Sequence, residues 1–196
     1  MINDLDQTIE TLLKRELPPN LADQITISFA PPDGEFPPSS VSLPAIDLFL
    51  YDIRENKDLR SIFWDFERNA NGKGKKKRDP VRVDFSYFIT AWPSESVPTP
   101  VHDEHWLLGE TMKILLRHEI FPEEILQGTL IGQKPSIPVL SLQPSHLQSI
   151  GEFWQALGGK PKAALNYTVT LSIDPFQATE VPLVLEKIIG MKPGME

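Results

Sequence analysis

Cysteine is absent from this 196-residue chain, which excludes disulfides, thiol nucleophiles and every cysteine-ligated metal site. Long hydrophobic runs are absent as well. No stretch approaches the roughly 20 apolar residues of a membrane-spanning helix, and the most apolar segments, such as Leu48-Phe49-Leu50-Tyr51, are strand-sized. The N-terminal residues Met1-Ile2-Asn3-Asp4-Leu5-Asp6 lack the basic start and apolar core of a secretory signal. The expectation is a protein without membrane insertion that stays in the reducing cytoplasm. Basic charge is in deficit, with 19 Lys and Arg against 27 Asp and Glu and a net charge of −8. That balance argues against a surface that binds nucleic acid or anionic membrane as a whole.

Proline, by contrast, is abundant at 19 residues, roughly twice the usual share of about 5 percent, so long helices are not expected to dominate. With 40% apolar and 23% charged residues the chain has the composition of a globular domain, not of a disordered one. Its length suits a single domain.

Hydrophobic periodicity predicts a helix over 4–17, with Ile2, Leu5, Ile9, Leu12 and Leu13 on one side, Glu16 as the only polar member of that side, and Pro18-Pro19 as the stop. Ile25, Ile27 and Phe29 alternate as a strand. A Pro-rich loop over 30–44 follows, then a strand with Ile46, Leu48, Leu50 and Ile53 on one face and Phe49 and Tyr51 on the other. Leu59, Ile62, Phe63 and Phe66 are spaced for a short helix, and 71–78 reads as a flexible basic tip. The cleanest two-residue period runs over 81–92, with Val81, Val83, Phe85, Tyr87, Ile89 and Ala91 on one face. A helix is predicted over 102–120 that buries Leu108, Met112, Leu115 and Leu116, with Leu107 and Ile114 widening the stripe. Further expectations are a short strand over 138–143, a short helix over 153–157 with capping-box spacing from Ser149 to Glu152, and a strand over 165–173. The apolar tail from Val181 to Ile189 reads as a strand or a helical turn. Strands and long helices do not alternate regularly, so the expected fold is α+β, a mostly antiparallel sheet with helices packed on it. Residues 1–175 form the expected domain and 176–196 an apolar extension that serves as a contact arm.

Three constellations invite a chemical reading. His102 and His105, with His118 further along the same predicted helix, suggest a metal enzyme. His-x-x-His is not the i,i+4 spacing of zinc-protease ligands, however, and the helix geometry favours a polar helix start with one half-buried histidine, His105 beside Leu108. Gly72-Lys73-Gly74-Lys75 lacks the Ser or Thr and the full spacing of a phosphate loop. It belongs instead to a basic stretch: Lys73, Lys75, Lys76, Lys77 and Arg78 are five of the 19 basic residues, while fourteen basic face twenty-seven acidic side chains elsewhere. Such a positive finger on an acidic body favours docking on an acidic neighbour, including a second copy of the chain. Nucleic acid or another polyanion is the alternative partner, but no aromatic interleaving is visible in that stretch to support it. Trp106 and Trp154 read as core, and Trp92, before Pro93, as an interface anchor. Paired carboxylates stand in polar contexts, and no Gly-x-Ser-x-Gly or dinucleotide fingerprint occurs.

Several stretches occur together in a fixed order. They are Leu48-Phe49-Leu50-Tyr51-Asp52-Ile53-Arg54-Glu55-Asn56, Val83 to Trp92, His105-Trp106-Leu107-Leu108-Gly109, Leu115-Leu116-Arg117-His118, Phe153 to Gly159 and Leu165 to Thr170. Over about residues 3 to 175 this set resembles the tail-terminator, or cap, proteins of phage-tail-like extracellular contractile injection systems of the antifeeding-prophage and virulence-cassette kind. The resemblance implies an α+β subunit that forms a ring, a hexamer, on the baseplate-distal end of an inner tube and outer sheath in a bacterial particle. It brings no catalytic residue, cofactor or metal. The expected contact residues are Lys73, Lys75, Lys76, Lys77, Arg78 and Trp92, with Val181, Leu183 and Leu185 of the extension; the expected partners are other copies, sheath and tube.

Overall fold

The computed structural model describes residues 1–31, 40–68, 73–94, 96–143, 150–156, 158 and 161–182. In chain order the elements are α1 (Ile2–Glu16), α2 (Pro19–Ala22), β1 (Thr26–Ser28), β2 (Ala45–Glu55), β3 (Trp64–Arg68), β4 (Lys73–Arg78) and β5 (Val81–Trp92). There follow α3 (Pro100–Leu116), two 3-10 turns (Glu123–Ile125 and Gly128–Leu130), β6 (Val139–Ser141), α4 (Ile150–Ala156), β7 (Leu165–Ile173) and β8 (Thr179–Pro182). The strands form a five-stranded sheet, β1-β2-β5-β7-β6, and a three-stranded one, β3-β4-β8. Only the β1–β2 pair is parallel; every other pair is antiparallel. The fold is thus the expected α+β arrangement. No helix among the described residues is long and apolar enough to cross a membrane.

The strict alternation of β5 decides the core. Phe85, Tyr87, Ile89 and Ala91 point to one face with Ile46 and Leu48 of β2 and Leu165, Tyr167, Val169 and Leu171 of β7. That face is covered by Leu5, Ile9, Leu12 and Leu13 of α1 and by Leu107, Leu108, Ile114 and Leu115 of α3. Burying each of the Leu, Ile, Val and Phe side chains among them stabilises the fold by about 1.5–3 kcal/mol. The jump in the β2 pattern from Leu50 to Ile53 is a bulge: Leu50 pairs with Tyr87 and Asp52 with Ser86, leaving Tyr51 as the extra residue. The opposite face is mixed. Trp154 of α4 packs edge-on against Phe88, ring centroids 5.6 Å apart, while Ser86 bonds Thr168 at 3.0 Å and the Thr170 hydroxyl donates to Asp84 at 2.6 Å.

Four expectations are corrected. Residues 57–66 contain no helix: Trp64–Arg68 is a strand, and Ile62 and Phe63 are 81% and 74% exposed. The helical spacing of the apolar residues there does not mark a buried face. The basic stretch expected as a flexible tip is the strand β4, hydrogen-bonded on both sides. Helix α3 stops at Leu116, not 120. The segment after it is drawn along the edge of β6 by Phe121 N–H to the Ile137 carbonyl (3.0 Å) and Val139 N–H to the Glu119 carbonyl (2.9 Å). Of its expected apolar stripe, Leu107, Leu108, Ile114 and Leu115 are buried, whereas Leu116 at the early end is 52% exposed. Trp106, expected in the core, is 47% exposed on the outer side of α3, whereas Trp154 is enclosed as expected. Of the apolar tail, β8 is a strand. Leu183, Leu185 and the rest of 183–196 lie outside the described residues, as does Ser149 of the expected capping box.

Candidate assembly interface

The small sheet grows out of the link between β2 and β5. Glu55 ends β2, the chain turns through 56–63, runs out along β3 and returns along β4 to Val81. Sequence alternation gives this hairpin two different faces. On one, Trp64 stands opposite Arg78 and Phe66 opposite Lys76; on the other, Asp65 stands opposite Lys77 and Glu67 opposite Lys75. β8 closes the far side, setting Glu180 against Lys75 and Val181 against Gly74. The result is one face of cations laid on aromatic rings and one face of alternating charge.

The first face is the distinctive one. Lys76 Nζ lies 3.8 Å from the Trp64 ring centroid and 5.6 Å from that of Phe66. The Arg78 guanidinium lies 4.9 Å from Trp64 and 5.6 Å from Phe176. At exposed sites each such contact contributes about 0.5–1 kcal/mol. They hold the cations without neutralising them, so the face keeps its positive charge. Phe66 is 59% exposed. Beside the face a cleft of about 380 Å³ is lined by Arg60, Phe63, Trp64, Arg78, Arg82 and Phe176. On the second face Lys77 is ion-paired to Asp174, the residue after β7. This ties the small sheet back to the large one and holds the Asp174 carboxyl below its ordinary range. The three strands together carry six basic and three acidic side chains, so the sheet is less positive than β4 alone.

The structure therefore gathers Lys73, Lys75, Lys76, Lys77, Arg78 and Val181 into one sheet. Trp92 lies at the other end of β5. Its indole N–H donates to Thr90 Oγ1 at 2.9 Å, and Lys162 Nζ sits 3.4 Å from its ring centroid, bonded to Glu104 at 2.9 Å. Burial pulls the Lys162 pKa down, with the Glu104 carboxylate pushing back. Sequence reasoning missed Phe63, Trp64, Phe66 and Phe176 as companions of the basic stretch. The signal was the alternation of aromatic and acid in Trp64-Asp65-Phe66-Glu67, a few residues ahead of the basic stretch. The aromatic interleaving absent from the basic stretch itself is thus supplied by the neighbouring strand.

The histidines do not converge. His102 and His105 are exposed near the start of α3, so the half-buried position expected of His105 is not found. His118 Nε2 lies 2.7 Å from Glu16 Oε1. Among the described residues no three His, Asp or Glu side chains are grouped to hold a metal. Glu16, the polar member of the α1 stripe, instead gathers Arg15 (3.1 Å), Arg117 (3.2 Å) and His118. Burial pushes its pKa up, but the hydrogen bonds from Arg15, His118 and Arg117 outweigh this and hold it below the ordinary value.

The sequence profile of the Pvc16 N-terminal domain family matches residues 4–186. No curated protein matches the chain. Among solved structures, the fold is similar to the sheath/tube terminator of PVC, an extracellular contractile injection system, in the extended state, with a TM-score of 0.68 and 22% identity over 100% of this chain and 64% of that one. It is also similar to the tube-terminating cap of the anti-feeding prophage, with a TM-score of 0.65 and 24% identity over 96% of this chain and 61% of that one. At these identities the likeness is one of fold, and the chain spans less than two thirds of the length of either protein.

Proposed function

The chain belongs to the Pvc16 N-terminal domain family, and from that membership we propose that it is a structural cap, a subunit that closes the baseplate-distal end of the tube and sheath of a contractile injection system. The observation that carries this reading is the match of fold along essentially the whole chain to two proteins described as terminators of such particles. In this reading the protein makes and breaks no covalent bonds and needs no cofactor. It is made in the bacterial cytoplasm, assembles with copies of itself as a ring of six and contacts sheath and tube subunits, with residues 1–175 as the cap domain and 176–196 as a contact arm. Deleting the chain from a producing strain is expected to give particles of uncontrolled length or low stability by electron microscopy, and the tagged chain is expected to copurify with sheath and tube. Particles of normal length and stability in the deletion strain would overturn the reading. Loss of residues 181–196 is expected to weaken ring and particle assembly; unchanged assembly would remove the arm from the proposal.

One observation favours a second reading. A sheet face that pairs Lys76 and Arg78 with Trp64 and Phe66 has the composition of a polyanion-binding surface. It predicts salt-sensitive binding of single-stranded nucleic acid that disappears when Lys76 and Arg78 are neutralised. The net charge of −8 works against it.

A further inference from the structure

We infer that the small sheet of one copy docks, head to tail, on the β6 edge of the next copy. The inference rests on the cap reading in one respect, that the chain assembles with itself, and adds which two surfaces meet.

The first surface is the cation–aromatic face, with Lys76 and Arg78 held over Trp64 and with Phe63 and Phe66 open beside them. The second lies at the outermost strand of the large sheet. The segment that leaves α3 runs along β6, with Ile120 bridged to Pro138, and the end of α3 reaches β6 where Ser141 Oγ donates to the Leu115 carbonyl; Leu116, Ile120 and Leu140 of β6 are all exposed. The same segment carries the exposed carboxylates of Glu119 and Glu123. One surface therefore pairs cations with exposed rings, and the other pairs carboxylates with exposed aliphatic side chains. They are complementary in sign and both offer apolar area.

Topology separates the two within one chain. The small sheet extends from the end of the large sheet where Val81 pairs with Ile173. β6 is the outer strand beyond β7, paired with Tyr167 to Val169, and leads to Leu142 against Asn166 at the opposite end of β7. Complementary patches on different sides of one molecule meet only between molecules, and such a heterologous contact repeats in one direction and closes into a ring when its rotation allows. A second copy is the occupant that these facts select, because the acidic half of the pair is carried by the same chain as the basic half.

The test uses the full chain and light scattering behind size exclusion. Lys76→Glu with Arg78→Glu reverses the first surface; Glu119→Lys with Glu123→Lys reverses the second. Each double variant alone is expected to associate at least tenfold more weakly than the parent. Mixed in equal amounts they are expected to recover the ring, because each copy then meets an opposite charge on both sides. Unaltered association of both double variants, or no recovery on mixing, would overturn the inference. Should the hairpin variant lose its fold by circular dichroism, the edge variant and Leu140→Asp decide: either weakens association tenfold or the proposal fails. Copurification with sheath and tube separates the two readings. A parent chain that forms rings indifferent to these changes and still copurifies sinks only this inference; one that neither associates nor copurifies sinks both.

Discussion

At the scale of single residues, Asp47 stands in register with Ser28 on one side and Thr90 on the other, fully enclosed. Neither of its oxygens accepts a hydrogen bond of full geometry. Burial pushes its pKa up to about 6, and the neighbouring Ser28 hydroxyl offsets this only in part. The native state thus holds the proton more tightly than the unfolded chain, whose Asp titrates near 4. Stability is full while the group is protonated, declines as pH rises from about 4 to 6, and stays lower above that, by about 3 kcal/mol at pH 7. Asp47→Asn is expected to raise the denaturation midpoint at pH 7 and to flatten that decline, as urea titrations across pH 4–7 would read. Gly128 is the second case. It adopts φ +53°, and a Cβ there would sit 2.5 Å from the Asp4 carboxyl, which accepts from both the hydroxyl and the N–H of Thr129. Gly128→Ala is expected to cost about 1–3 kcal/mol by chemical denaturation, through strain and the loss of that anchor. No sequence pattern announces either residue, since both depend on a neighbour far along the chain.

At the scale of elements, what was legible depended on which force fixed the period. β5 could be read face by face because its alternation is apolar against polar and one face is buried. The β3–β4 hairpin could not: its alternation is aromatic against acid and charge against charge, with glycine and lysine in β4, residues that favour strands weakly. The apolar residues at 59, 62, 63 and 66 happened to match a helical repeat. The end of α3 was missed for a different reason, since it is set by hydrogen bonds to β6 and not by a local stop signal. The join between α1 and that end is the Glu16 cluster. Because Glu16 titrates below its ordinary value, the stability it contributes is present above the unfolded pKa and is lost as pH falls through the folded one. Glu16→Gln is expected to remove this acid-side loss in thermal unfolding below pH 5, while leaving the decline due to Asp47 in place.

At the scale of the whole molecule, the family and the α+β class were legible from ordered motifs along the chain, while the cation–aromatic face was not. The aromatic half of the cation–aromatic face lies in one strand and the basic half in another, and only pairing joins them. Truncation after residue 178 removes β8 and leaves β4 with one partner strand. The expected outcome is a red shift of Trp64 emission, read in a variant with the other three tryptophans replaced by phenylalanine, with little change in the far-ultraviolet signal of the large sheet. The small sheet is rooted in the large one three times over, through β2, β5 and the segment that leaves β7. A pull on the hairpin along its strands therefore loads β2, β5 and β7 in the same direction. Sliding them past β1 and β6 strains whole rows of inter-strand bonds at once, whereas a single root would let them peel one by one. A domain rooted in this way resists tearing when load enters through its small sheet.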